Sequence, residues 1–162
     1  MAMDSQITSS VHQFGLGTGL AQKALDGLTP EELHRRAGPG VNPTLGLMIH
    51  LAHVRCSLLN VLGVARELPW DGKFGRGGAM NDPSQYPELD EVWSVWHDAT
   101  SRLDKRFEEL TDEELSAPSP RDFPVPDKTI RGAINFLAYH EAYHLGQMGY
   151  LRKWLGKDSL RG

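Results

Sequence analysis

No stretch of this chain repeats apolar residues with the two-residue period of a strand, whereas four stretches repeat them at helical spacing. That pattern restricts the chain to an all-α fold, in which each amphipathic helix buries its stripe against the others. The first stretch is expected from about Ser5 to Leu28, with Val11, Phe14, Leu20, Ala21, Ala24, Leu25 and Leu28 on one face. Gly15, Gly17 and Gly19 lower its helix propensity. Thr29, Pro30 and the acids Glu31 and Glu32 predict a short capped turn after it. A Gly/Pro-rich loop (37–43) ends in Asn42-Pro43, which starts a second helix running to Gly63. That helix carries Leu47, His50, Val54, Leu58 and Val61 on one face and is apolar enough to be buried on more than one side.

An irregular stretch from about Val64 to Pro87 precedes the third helix, expected from about Glu88 to Leu110 with Val92, Trp93, Trp96, Leu103 and Phe107 at helical spacing. The segment 116–126 holds four prolines and cannot be helical. Asp127 is the expected N-cap of the last helix, which runs to about Leu155 and stops at Gly156. The expected fold is an antiparallel, up-down four-helix bundle, one domain over residues 1–162. Long connections separate the second from the third and the third from the fourth long helix.

Composition narrows the function classes. Among 162 residues the net charge is −4 and the pI about 5.9, and the 17 basic residues never run beyond two together. A nucleic-acid binder would show a basic stripe, so nucleic acid is not an expected partner. One cysteine, Cys56, allows no intramolecular disulfide and is expected to be a small buried hydrophobe. The opening MAMDSQITSS lacks the basic and apolar regions of a secretion signal. No apolar run is judged to reach the ~18 residues of a membrane span, so no membrane association is expected and a cytoplasmic location is.

The chemistry lies in the histidines. His140 and His144 in HEAYH stand four apart on the last helix, on one face and one turn apart, where two imidazoles can share one ion. Alone, such a pair is as readily two hydrogen-bonded core histidines. His50 shifts the balance, because it sits on the apolar stripe of the second helix, where an unpaired imidazole is costly. His50, His140 and His144 are therefore the expected metal ligands. His53 is a competitor on a more peripheral face, and His12, His34 and His97 are expected at the surface or its boundary.

HEAYH also fits the HExxH pattern of zinc proteases. Such an enzyme needs a further ligand, and after His144 the sole acid is Asp158, beyond the helix-ending Gly156. The extended pattern wants glycine where Gln147 stands. The protease reading is rejected.

The segments LGLMIHLAHVRCSLLNVLG (45–63) and HEAYHLGQMGYLRKWLGK (140–157) resemble the two signature helices of the DinB-like, or YfiT-like, metal-dependent proteins. LPWDGKFGRGG (68–78) and YPELDEVW (86–93) resemble that family's middle region, so the likeness covers nearly the whole chain. The resemblance implies an antiparallel four-helix bundle, often a homodimer, with three histidines around zinc, nickel or iron. His50, His140 and His144 match those ligands. It implies neither DNA polymerase nor DNA-binding activity. Some relatives transfer low-molecular-weight thiols such as bacillithiol, or use mycothiol in isomerisation.

Three imidazoles on one ion leave positions for water or substrate, the pattern of catalytic rather than structural sites. The expectation is a metal-dependent enzyme acting on a small molecule, either a thiol S-transferase or a hydrolase. The alternative is a non-catalytic metal-binding or stress-response bundle, and a third possibility is a bundle with purely structural histidines. Weaker catalytic candidates are Glu141, about 100° around the helix from His140 and expected in a salt bridge or outer hydrogen bond, Gln147 one turn beyond His144, and Arg76 in FGRGG for an anionic group. A pocket beside the three imidazoles would favour the enzyme.

Overall fold

The computed structural model describes residues 5–75 and 81–161, with only the backbone of Ser5. Its four long helices are α1 (Ser5–Leu25), α3 (Thr44–Val61), α4 (Leu89–Glu109) and α6 (Ile130–Trp154), with the short helices α2 (Pro30–His34) and α5 (Asp112–Ser116) between them. No strand occurs among the described residues, only an isolated bridge between Pro118 and Thr129.

The helix ends follow local chemistry. α1 stops at Leu25, three residues short of the expected Leu28, because the chain turns through Gly27 at φ +69°. Thr29 then caps α2 in a reciprocal box with Glu32, and Thr111 does the same for α5 with Glu114. The N-cap of α6 is Thr129 and not Asp127, since the Thr129 hydroxyl accepts from Gly132 N. Asp127 acts one step earlier, accepting from the backbone N and the hydroxyl of Thr129. Gly156, at φ +79°, ends the helix as expected.

The apolar core falls into two halves. One holds Phe14, Leu58, Leu59, Phe107 and Ile134, and the other Leu25, Met48, Val92, Trp96 and Met148. Between them lies a polar layer around Arg55, which is 1% exposed. Its guanidinium donates to both carboxylate oxygens of Glu141 (2.8 and 2.6 Å), to the hydroxyls of Thr18 (3.1 Å) and Thr100 (2.5 Å), and to Phe14 O (2.9 Å). All five donors of the fork are matched. Its carbon also lies 3.7 Å from the centroid of the Trp96 ring. One side chain on α3 thus touches α1, α4 and α6.

The order of the contacts gives the helix directions. Along α1 and α6, Ser10 meets Asn135 and Asp26 meets Arg152, so these two run the same way. Along α3 and α4, Arg55 meets Thr100 and Leu62 meets Arg106, so these also run together. α3 and α6 run opposite, with Arg55 against Glu141 and His50 against His140 and His144. Antiparallel packing therefore relates two pairs, in the order up, down, down, up, and not successive helices one by one. A parallel neighbour needs a return along the bundle, which accounts for the long connection 62–88.

α3 is long and apolar enough to cross a membrane by length and composition, contrary to the expectation that no run reaches that threshold. In the bundle 83% of that window is buried by the other helices.

Candidate metal centre

His140 and His144 project from one face of α6 toward His50 on α3. Their Nε2 atoms converge: His50 to His140 is 3.4 Å and His140 to His144 is 3.1 Å. The three ligand atoms all lie within 4.8 Å of one another. Bonds of about 2.1 Å to one ion, at angles between octahedral and tetrahedral, place neighbouring nitrogens roughly 3.0–3.4 Å apart. The two close separations match that range.

Outer hydrogen bonds choose the tautomers. His50 Nδ1 donates to Phe74 O (3.3 Å), and His144 Nδ1 donates to Gln147 Oε1 (2.7 Å). Each ring so held carries its free lone pair on Nε2, aimed at the common point. Without an ion, lone pairs face one another and at most one inter-ring bond can form through His140. His140 Nδ1 is itself buried without a partner among the described residues. Burial holds all three imidazoles below their ordinary pKa. For His140, burial reinforced by its two neighbours lowers it to about 4. The rings are neutral at pH 7, as ligands must be. The donor set fits a divalent transition ion of borderline softness.

The segment carrying Phe74 is built for its place. Trp70 and Asp71 adopt positive φ (54° and 53°), a backbone state that costs about 1–3 kcal/mol per non-glycine residue. Trp70 Nε1 holds the turn by donating to Glu91 Oε1 (2.7 Å), and the Phe74 ring is 1% exposed between Trp70 and Tyr86. The reward is a carbonyl delivered to His50. At Gly75 next door, a Cβ would lie 2.9 Å from His53 Nε2, so a side chain there would displace that ring.

A cavity of about 450 Å³ reaches His50 and His140 from the side of the loop between α5 and α6. Its walls include His53, Ser57, Arg121, Phe123, Phe136 and Leu137. The imidazoles of His50 and His140 are therefore accessible to a small molecule.

The DinB superfamily profile matches residues 13–148, which include all three histidines. The chain belongs to the DinB superfamily. Among solved structures, YfiT from Bacillus subtilis is similar, with a TM-score of 0.69 at 16% identity over 98% of this chain and 92% of that one. It is described as a probable metal-dependent hydrolase with an unusual four-helix bundle topology. No protein of curated function matches.

This DinB-superfamily chain brings together His50, His140 and His144 as the spacing suggests. It does not bring Glu141 to them. That carboxylate is 3% exposed and held at both oxygens by Arg55, in the salt bridge expected of it. Gln147 touches the Nδ1 of His144 and positions it. Arg76 lies outside the described residues. Cys56 is fully buried and accepts from Arg66 Nε (3.1 Å), away from the histidines, and burial raises its thiol pKa. His12, His34 and His97 are exposed.

Of the cavity residues, the sequence misplaces one and does not reveal another. His53 is 6% exposed rather than peripheral, its Nδ1 is buried without a partner among the described residues, and burial lowers its pKa to about 4. Because α3 is buried almost all round, helical periodicity gives its faces no contrast. Arg121 sits in the proline-rich loop, and its one signal is that it is the only basic residue between Pro118 and Pro126.

Proposed function

We propose that this protein is a metal-dependent hydrolase of small molecules, with one divalent transition ion held by Nε2 of His50, His140 and His144. The observation that carries the reading is the convergence of three imidazole nitrogens, with the rings of His50 and His144 fixed in tautomer and those of His50 and His140 facing a cavity large enough for a metabolite. A closed structural centre would need a fourth protein ligand and no such cavity. The similarity to YfiT, itself described as a probable metal-dependent hydrolase, supports the same class.

When bound, the ion supplies a Lewis acid and makes an incoming nucleophile acidic enough to react at neutral pH. The remaining work belongs to the chain. Phe74 O and Gln147 hold two imidazoles in register, and Phe123, Phe136 and Leu137 keep one side of the cavity apolar.

The test is elemental analysis of untagged protein together with hydrolysis of a panel of activated esters and amides. Wild type is expected to hold about one ion per chain, and His50→Ala to lose it. Turnover should stop with chelator and return on adding metal. Full turnover by metal-free protein sinks the reading. Turnover that requires an added low-molecular-weight thiol reassigns the reaction to S-transfer.

A further inference from the structure

The cavity beside the histidines is unsymmetrical in charge, and this says what enters it. Arg121 lines it from the loop stapled at its base by Ser119 N to Lys128 O (2.8 Å) and Ile130 N to Ala117 O (2.9 Å). One terminal amine of its guanidinium donates to Ser57 Oγ on α3. Its carbon lies 5.5 Å from the centre of the Phe123 ring. Among the described residues no carboxylate pairs with it. The adjacent Asp122 is taken by Lys128 Nζ (2.6 Å). The Nε edge and second amine of Arg121 thus have no protein partner among the described residues. A guanidinium held at one corner, with its other edge free, presents the fork that a carboxylate fills with two parallel bonds. Behind it the rings of Phe123 and Phe136 pack tilted at 40° with centroids 5.5 Å apart, and the Phe136 ring centroid lies 6.1 Å from that of His140.

We infer that this cavity binds a small monocarboxylate with an aromatic or apolar body, its carboxylate on Arg121 and its other end directed at the histidine cluster. The cation, the aromatic wall and the imidazoles line one space of about 450 Å³, so one molecule meets all three. The assignment of the reacting end rests on the hydrolase reading above. The carboxylate site does not.

The probes are phenylacetate and its neutral amide, phenylacetamide, titrated by calorimetry and ligand-observed NMR. The proteins are wild type, Arg121→Gln and Arg121→Lys, each metal-loaded and chelator-treated. Phenylacetate is expected to bind wild type in both metal states and roughly tenfold or more weakly to Arg121→Gln, the scale of one charge-assisted interaction. Arg121→Lys should fall between, keeping the charge and losing the fork. Phenylacetamide should bind weakly and ignore the substitution. Equal phenylacetate affinity in wild type and Arg121→Gln overturns the proposal, as does equal affinity for acid and amide. Binding that needs the metal but not Arg121 also overturns it, while leaving the hydrolase reading intact. Arg121-dependent binding in a wild type that holds no metal upholds the anion site and sinks the hydrolase instead. Circular dichroism melting of both variants, with the exposed loop position predicting no change, confirms that a loss reports the site.

Discussion

Arg55 and Glu141 form an ion pair with almost no access to water, and its energetics are asymmetric. Taking both charges out of water costs several kcal/mol per ion, which mutual attraction and complete hydrogen bonding offset only in good geometry. Here the guanidinium has all five donors matched and the carboxylate is held at both oxygens. Removing one partner strands the other. Glu141→Ala is therefore expected to lower unfolding free energy by about 3–5 kcal/mol in urea melts. Arg55→Met with Glu141→Leu, which removes both charges, should recover most of that loss. A mild Glu141→Ala phenotype would mean the charges are not truly desolvated. Gln147 makes a subtler prediction. Its loss frees His144 to rotate or change tautomer, so Gln147→Ala should weaken metal affinity by roughly 10–100-fold without abolishing it. Metal titration of the stripped variant checks this, and unchanged affinity would assign that hydrogen bond no role.

Among the elements, α1 shows that three glycines with one propensity can have opposite effects. Nothing lies within 4 Å of a Cβ built on Gly15 or Gly19, whereas one on Gly17 would collide with Glu141 Oε1 and press on Leu145. Gly15→Ala and Gly19→Ala should each stabilise by roughly 0.5–1 kcal/mol, through helix propensity alone. Gly17→Ala gains the same propensity but must displace a buried, doubly bonded carboxylate. Overpacking costs about 1–3 kcal/mol, so the net sign is expected to reverse. Thermal melts of the three variants decide it, and stabilisation in all three would mean α1 and α6 can separate at little cost. The same contrast shows what was legible beforehand. Periodicity located all four long helices, and the four-residue spacing of His140 and His144 brought two imidazoles together. It could not distinguish Gly17 from its neighbours, since that depends on Glu141, 124 positions further along the chain. It placed the α6 cap on Asp127 because an Asp and a Thr two residues apart are both good caps, and only backbone geometry selects Thr129. The burial of His53 and the place of Arg121 were hidden for separate reasons: one lies on a helix with no polar face, the other in a loop with no period.

For the whole molecule, the ordering of helices determines what a bound ion would do to stability. The up, down, down, up arrangement sets α3 and α6 side by side in opposite directions, though 68 residues separate their ends in the chain. Their contact is partly polar at this point, where three neutral rings face one another and one buried Nδ1 has no partner among the described residues. An ion on the three Nε2 atoms would join the two helices and remove the cost of opposed lone pairs, and it would do so in the folded state alone, since the unfolded chain scatters the ligands. Linkage then gives the magnitude. At free metal 100-fold above its dissociation constant, the folded state gains about 2.7 kcal/mol. A chain of this size shifts by about 2–4 °C per kcal/mol, so zinc or nickel should raise the melting temperature by roughly 5–10 °C. Chelator should reverse the shift, and His140→Ala, which removes the ligand lying between the other two, should abolish it. A rise that survives in His140→Ala would place the ion elsewhere on the molecule. No rise in wild type would leave the three imidazoles as core residues whose convergence has no metal to explain it.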